Sequence, residues 1–149
     1  MSTVKIVAAL VSCAFLTPAF AQSLAERRAR AVEDKTLGFY ERLAGDCRVD
    51  AYLDWSTFTD GALALKKKNI RLSEVCRFAL EGIGRVCGKG EDAKKSVQAN
   101  VKYLTCKQAS PSTVTLKDGR LVYGIDFKEP ATAGADNVEK FLMEKLSLM

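Results

Sequence analysis

Histidine is absent from all 149 positions of the chain, and that removes whole classes of chemistry at once. No Ser-His-Asp or Cys-His nucleophile can be assembled. No imidazole base is on hand near neutral pH, and the usual His-bearing catalytic metal sites lose their ligands. Other signatures are missing too. No Cys-x-x-Cys occurs, the glycines match neither a dinucleotide fingerprint nor a P-loop, and Ser73 and Ser112 lack both G-x-S-x-G and S-x-x-K contexts. No nucleotide, cofactor or metal is therefore expected. Carboxylate chemistry, a Ser-Lys pair or a reactive lysine are what remain for an enzyme. The chain also lacks internal repeats, low-complexity runs and any linker that would mark a second domain.

What is present starts with residues 1–21, which read as a cleaved secretory signal peptide. Lys5 supplies the positive n-region, Ile6 to Thr17 is uncharged and mainly apolar, and Pro18 breaks the run. Ala19-Phe20-Ala21 places small residues where a signal peptidase reads them, so Gln22 becomes the new N-terminus. The apolar run is shorter than the roughly 20 residues that span a bilayer. Leu10-Val11-Ser12-Cys13 also fits a lipid-attachment pattern, but it lies too early in the apolar run, and Cys13 is assigned to the discarded leader. The chain is thus expected in the periplasm or outside the cell, with residues 22–149 forming a single domain of 128 residues. Losing Lys5 and no acid lowers the formal charge from +5 to +4. That mild basicity suits an anionic partner surface such as membrane headgroups or cell-wall polymer, and peripheral membrane contact fits it. Export argues against nucleic acid.

Cys47, Cys76, Cys87 and Cys106 survive cleavage. An even count in an exported domain argues for two disulfides. Cys76 and Cys87 cannot pair with each other if they share a helix. Eleven residues separate them by about 16 Å at ~1.5 Å each, against the 7 Å or so that a disulfide tolerates. Of the two connectivities left, Cys47–Cys76 with Cys87–Cys106 is preferred, because each bond joins elements adjacent in sequence.

Periodicity supplies the elements. Leu24 to Leu43 reads as an amphipathic helix with a loose stripe of Ala25, Ala29, Val32, Phe39 and Leu43, ended by Gly45. Arg48 to Ser56 alternates as a half-buried strand, with Val49, Ala51, Leu53 and Trp55 inward. Thr59-Asp60-Gly61 turns the chain, and Gly61 to Asn69 matches no template. Leu72 to Cys87 is the clearest helix, burying Leu72, Cys76, Ala79, Leu80, Ile83, Val86 and Cys87, with Ser73 as its cap. Gly82 and Gly84 inside it point to close packing on another element or to an early end. A short helix from Glu91 runs into a strand near Val101 to Lys107. Thr113 to Phe127 forms a hairpin about Asp118-Gly119, with Lys117 opposite Arg120, Leu116 opposite Leu121 and Val114 opposite Tyr123. Asp136 and Glu139 form a capping box for a last helix. The expected fold is α+β: an antiparallel sheet of about four strands, one strand plus a three-strand meander, packed by the N-terminal, central and C-terminal helices.

Candidate chemistry is sparse. Asp50 and Asp54 share a strand face, but four residues span roughly 13 Å at about 3.3 Å each, beyond the approximately 5–9.5 Å that separates paired glycosidase carboxylates. Asp50, Tyr52 and Asp54 are read instead as one exposed recognition surface, and Lys66-Lys67-Lys68 as a separate basic edge. The leading expectation is an exported, non-catalytic binding module that recognises a protein or cell-envelope component, in the manner of inhibitors and immunity proteins. Alternatives are a small carboxylate-based hydrolase of envelope polysaccharide and an envelope assembly factor that accepts a strand at an open sheet edge.

Overall fold

The alternation after Arg48 and the hairpin signal at Asp118-Gly119 both become strands of one sheet, and the apolar stripes become the helices that cover it. The computed structural model describes residues 24–58, 71–128 and 134–148. The expected leader with Cys13, the expected new N-terminus Gln22, the turn at Thr59-Asp60-Gly61 and the lysines at 66–68 lie outside them. In chain order the elements are α1 (Leu24–Tyr40), a 3-10 segment (Glu41–Cys47), β1 (Asp50–Leu53), α2 (Leu72–Cys87), α3 (Glu91–Asn100), β2 (Tyr103–Gln108), β3 (Thr113–Lys117), β4 (Arg120–Ile125) and α4 (Ala135–Lys145). The α+β class is as expected.

The sheet is mixed, not antiparallel, and it contains no meander. Its order is β1-β2-β4-β3, with β1 parallel to β2, β2 parallel to β4, and only β3 antiparallel to β4. The reason lies in composition. Leu121-Val122-Tyr123-Gly124-Ile125 is a nearly continuous apolar run, buried at Leu121 and from Tyr123 onward, and it belongs in the centre of a sheet. β3 alternates exposed Thr113, Thr115 and Lys117 with half-buried Val114 and Leu116, and that pattern suits an edge. The hairpin itself has the expected register, with Lys117, Leu116 and Val114 opposite Arg120, Leu121 and Tyr123. Positive φ at both Asp118 (50°) and Gly119 (77°) gives the expected type I′ turn.

β1 is shorter than its alternation suggested. Arg48 is held in a left-handed conformation (φ 49°) before it, and the Asp54 carboxylate accepts the Ser56 amide at 3.2 Å just after it, which turns the chain. Val49 and Leu53 are buried as expected, and Trp55 is only partly so.

α2 is the axis of the helical layer. All seven residues assigned to its apolar face are buried. Its two glycines are there for proximity. A Cβ on Gly82 would lie 2.7 Å from the Ala135 carbonyl oxygen in α4, and one on Gly84 would lie 2.0 Å from the Leu43 carbonyl oxygen. The helix does not use Ser73 as a conventional cap. Instead the Glu33 carboxylate of α1 accepts both the Ser73 amide (3.0 Å) and the Ser73 hydroxyl (2.6 Å). A negative charge from one helix therefore sits on the positive end of another.

The same bond explains why the expected α1 stripe is wrong. Among the described side chains of that helix Leu37 is the buried one, whereas Val32 and Phe39 stand exposed at 50% and 56%. Polar anchors set the rotation of α1: Glu33 reaches Ser73, and Asp34 accepts the Trp55 indole N–H at 3.0 Å. The capping box of α4 is also replaced. The helix begins at Ala135, so Asp136 falls inside its first turn and pairs with Arg85, while Glu139 takes Lys89 at 2.8 Å.

Two disulfides hold these layers, Cys47–Cys87 and Cys76–Cys106, with Cα separations of 6.2 and 5.9 Å. Cys76 and Cys87 are indeed unpaired with each other. The preferred pairing by sequence neighbours is overturned, and the parallel strands give the reason. Two parallel strands require a crossover, so α2 starts at the far ends of β1 and β2 and returns to their beginnings. Cys106, in register with Leu53 at the end of β1, meets Cys76 in the first turns of α2. Cys47, just before β1, meets Cys87 at the end of the helix.

Candidate functional site

Side chains alternate across the sheet, and the two faces differ sharply. Ala51, Leu53, Leu104, Cys106, Leu121 and Tyr123 turn toward the helices. Asp50, Tyr52, Tyr103 and Arg120 turn away and are exposed, with Thr105 and Val122 half-buried among them. Burial pushes the Tyr123 phenol above its usual pKa, so on the helical side it stays neutral as a core residue.

The register builds the opposite face row by row. Asp50 pairs with Tyr103, Tyr103 with Arg120, and Arg120 with Lys117 in one row across all four strands. Tyr52, Thr105, Val122 and Thr115 form the next row. The two tyrosines touch diagonally, with ring centroids 6.2 Å apart and planes tilted by 49°. The Arg120 guanidinium lies 5.7 Å from the centre of the Tyr103 ring, and its Nη1 donates to the Thr105 hydroxyl at 3.4 Å. A cation over the face of an aromatic ring is attracted by the ring quadrupole, which holds arginine and tyrosine together on this side of the sheet as a preorganised pair. Tyr52 and Tyr103 keep 51% and 41% of their surface in solvent, so the platform is available to a ligand.

The structure thus brings Asp50 and Tyr52 together on one face of β1, and Asp54 lies just past the end of that strand. The Asp54 carboxylate is occupied locally by Ser56, and its backbone amide continues the ladder to the Cys106 carbonyl at 2.9 Å. Lys66, Lys67 and Lys68 lie outside the described residues. Sequence reading missed Tyr103 and Arg120. The signal for Tyr103 was there, since Val101 to Lys107 alternates, but only the parallel pairing of β2 with both neighbours places Tyr103 between Asp50 and Arg120.

This face can stack on flat or apolar groups through two phenols and offer a guanidinium, hydroxyls and one carboxylate for hydrogen bonding. Asp126, beyond the end of β4, is held below the usual carboxylate range by the Ser110 hydroxyl and the Lys128 amide. That direction keeps it ionised, whereas a general acid needs the opposite. Among the described residues no three Cys, Asp or Glu side chains converge as a metal site, and no helix is long and apolar enough to cross a membrane. No protein-family model, curated protein or solved structure matches the chain.

Proposed function

We propose that the protein is an exported, non-catalytic binding module that recognises a protein or cell-envelope component through the bare face of its sheet. The observation that carries this reading is the exposed Tyr52–Tyr103 pair braced by Arg120 on a face that no described helix covers. Tyrosine and arginine are the residue types enriched where interfaces concentrate their energy. Two disulfides suit an oxidising compartment, and the leader accounts for delivery there. Retention on envelope fractions stripped of phospholipid tests the proposal. The unaltered protein is expected to be retained. A Tyr52→Ala/Tyr103→Ala/Arg120→Ala variant of unchanged melting temperature is expected to wash off. Hydrolysis of an envelope polymer that single Asp or Glu substitutions abolish would replace this reading with the hydrolase.

One observation favours a second reading, strand addition at β3. In a two-residue hairpin the residues flanking the turn bond to each other, so Thr113, Thr115 and Lys117 face β4. The backbone groups of Val114 and Leu116 then point out of the sheet. A donated strand would meet them there.

A further inference from the structure

α1 sorts its charges by side, and the outward side is the unusual one. Its acids turn toward the domain or are neutralised along the helix. Glu33 holds Ser73, Asp34 holds Trp55, and Glu26 pairs with Arg30 at 2.8 Å; just past the helix, Glu41 accepts the Ala51 amide at 2.7 Å. The outward side carries Leu24, Val32 and Phe39, exposed at 57%, 50% and 56%. These are three of the five large apolar side chains exposed among the described residues. Between them stand Arg28 and Lys35, and Arg42 follows, all exposed. Positions 24, 28, 32, 35 and 39 follow the spacing of a single helix face. None of the three bases pairs with a carboxylate among the described residues, and Arg42 instead stacks 3.3 Å from the centre of the Phe39 ring.

We infer that this face of α1 is a docking surface for an anionic phospholipid bilayer, on which the helix lies in the plane of the headgroups. Charge complementarity selects the ligand. The face is basic and free of acids, so it is attracted to a negative surface, with each Lys or Arg contributing separately. Shape selects a bilayer over an acidic protein. Leucine, valine and phenylalanine project singly from a convex helix over about 22 Å (15 residues at ~1.5 Å). Among the described residues they line no groove that a partner helix or peptide would fill. Singly projecting apolar groups among cations suit insertion between headgroups, with the guanidinium and ammonium groups level with the phosphates. This surface shares no residue with the sheet face built on Tyr52, Tyr103 and Arg120.

Co-sedimentation of the purified exported protein with vesicles tests the inference. Vesicles of phosphatidylglycerol mixed with phosphatidylcholine are expected to retain the protein, pure phosphatidylcholine vesicles are not, and added salt should weaken retention. Arg28→Gln alone should lower partitioning roughly fivefold, and Arg28→Glu/Lys35→Glu/Arg42→Glu should lower it well beyond tenfold. Val32→Ser/Phe39→Ser should weaken it without changing its salt dependence, and Tyr52→Ala should leave it unaltered. These side chains are exposed, so circular dichroism and melting temperature are expected to stay the same. Equal binding to neutral vesicles, or binding that survives the triple charge reversal, would overturn the assignment. So would capture of soluble polyglutamate without capture of anionic vesicles, which would give the face to an acidic protein.

Discussion

Two glycines of the same residue type have opposite roles. Gly38 in α1 has nothing within 4 Å of the position a Cβ would take, whereas a Cβ on Gly84 would collide with the Leu43 backbone at 2.0 Å. Gly38→Ala should therefore stabilise the fold by about 0.5–1 kcal/mol, through lower chain entropy and better helix propensity. Gly84→Ala should cost about 3 kcal/mol, because a carbonyl oxygen of the backbone cannot swing aside as a side chain can. Urea denaturation of the two variants checks both signs. Equal effects would mean that α2 does not pass the 3-10 segment this closely. The tyrosines show the same dependence on surroundings: Tyr123 is a neutral core residue, and Tyr52 and Tyr103 form a solvated platform.

Among the elements, α1 and α2 depend on each other through one carboxylate. Ser73 is fully buried, and its amide and hydroxyl both rely on Glu33. Glu33→Ala should cost about 1–3 kcal/mol, since it leaves a buried hydroxyl unsatisfied and uncaps α2. In a Ser73→Ala background the same change should cost clearly less, because the hydroxyl is already gone. A double-mutant cycle by denaturant unfolding gives that coupling, and strict additivity would show that the bond contributes nothing. The rotation that Glu33 and Asp34 impose on α1 also leaves Val32 and Phe39 in solvent. A stripe that passed over Leu37 could not anticipate it, because the orientation that buries Leu37 is also the one that lets these two carboxylates reach Ser73 and Trp55.

For the molecule as a whole, the disulfides bind each end of α2 to a different layer. Non-reducing peptide mapping should recover Cys47 with Cys87 and Cys76 with Cys106, and no other pairing. The closed segments span 40 and 30 residues, so removing either bond as a Cys→Ala pair should cost about 3–4 kcal/mol by chain entropy. The two losses should be similar in a thermal or urea titration. A loss confined to one pair would show that the other contributes little to holding the domain.

Local rules reached far into this protein. Spacing alone identified α2 and its buried face, and the Asp118-Gly119 hairpin with its register, because both follow from neighbours a few residues apart. The exclusion of a Cys76–Cys87 bond followed from the rise of one helix. Tertiary structure decided everything that depends on which elements lie side by side. The neighbours of β2 are β1 and β4, both parallel to it, and no periodicity within a strand encodes that choice. It arises from burying the most apolar strand centrally and from the crossover that parallel strands demand. From it came the disulfide pairing, through the direction in which α2 must return. The row of Asp50, Tyr103 and Arg120 has the same origin, joining residues up to 70 positions apart on one open face.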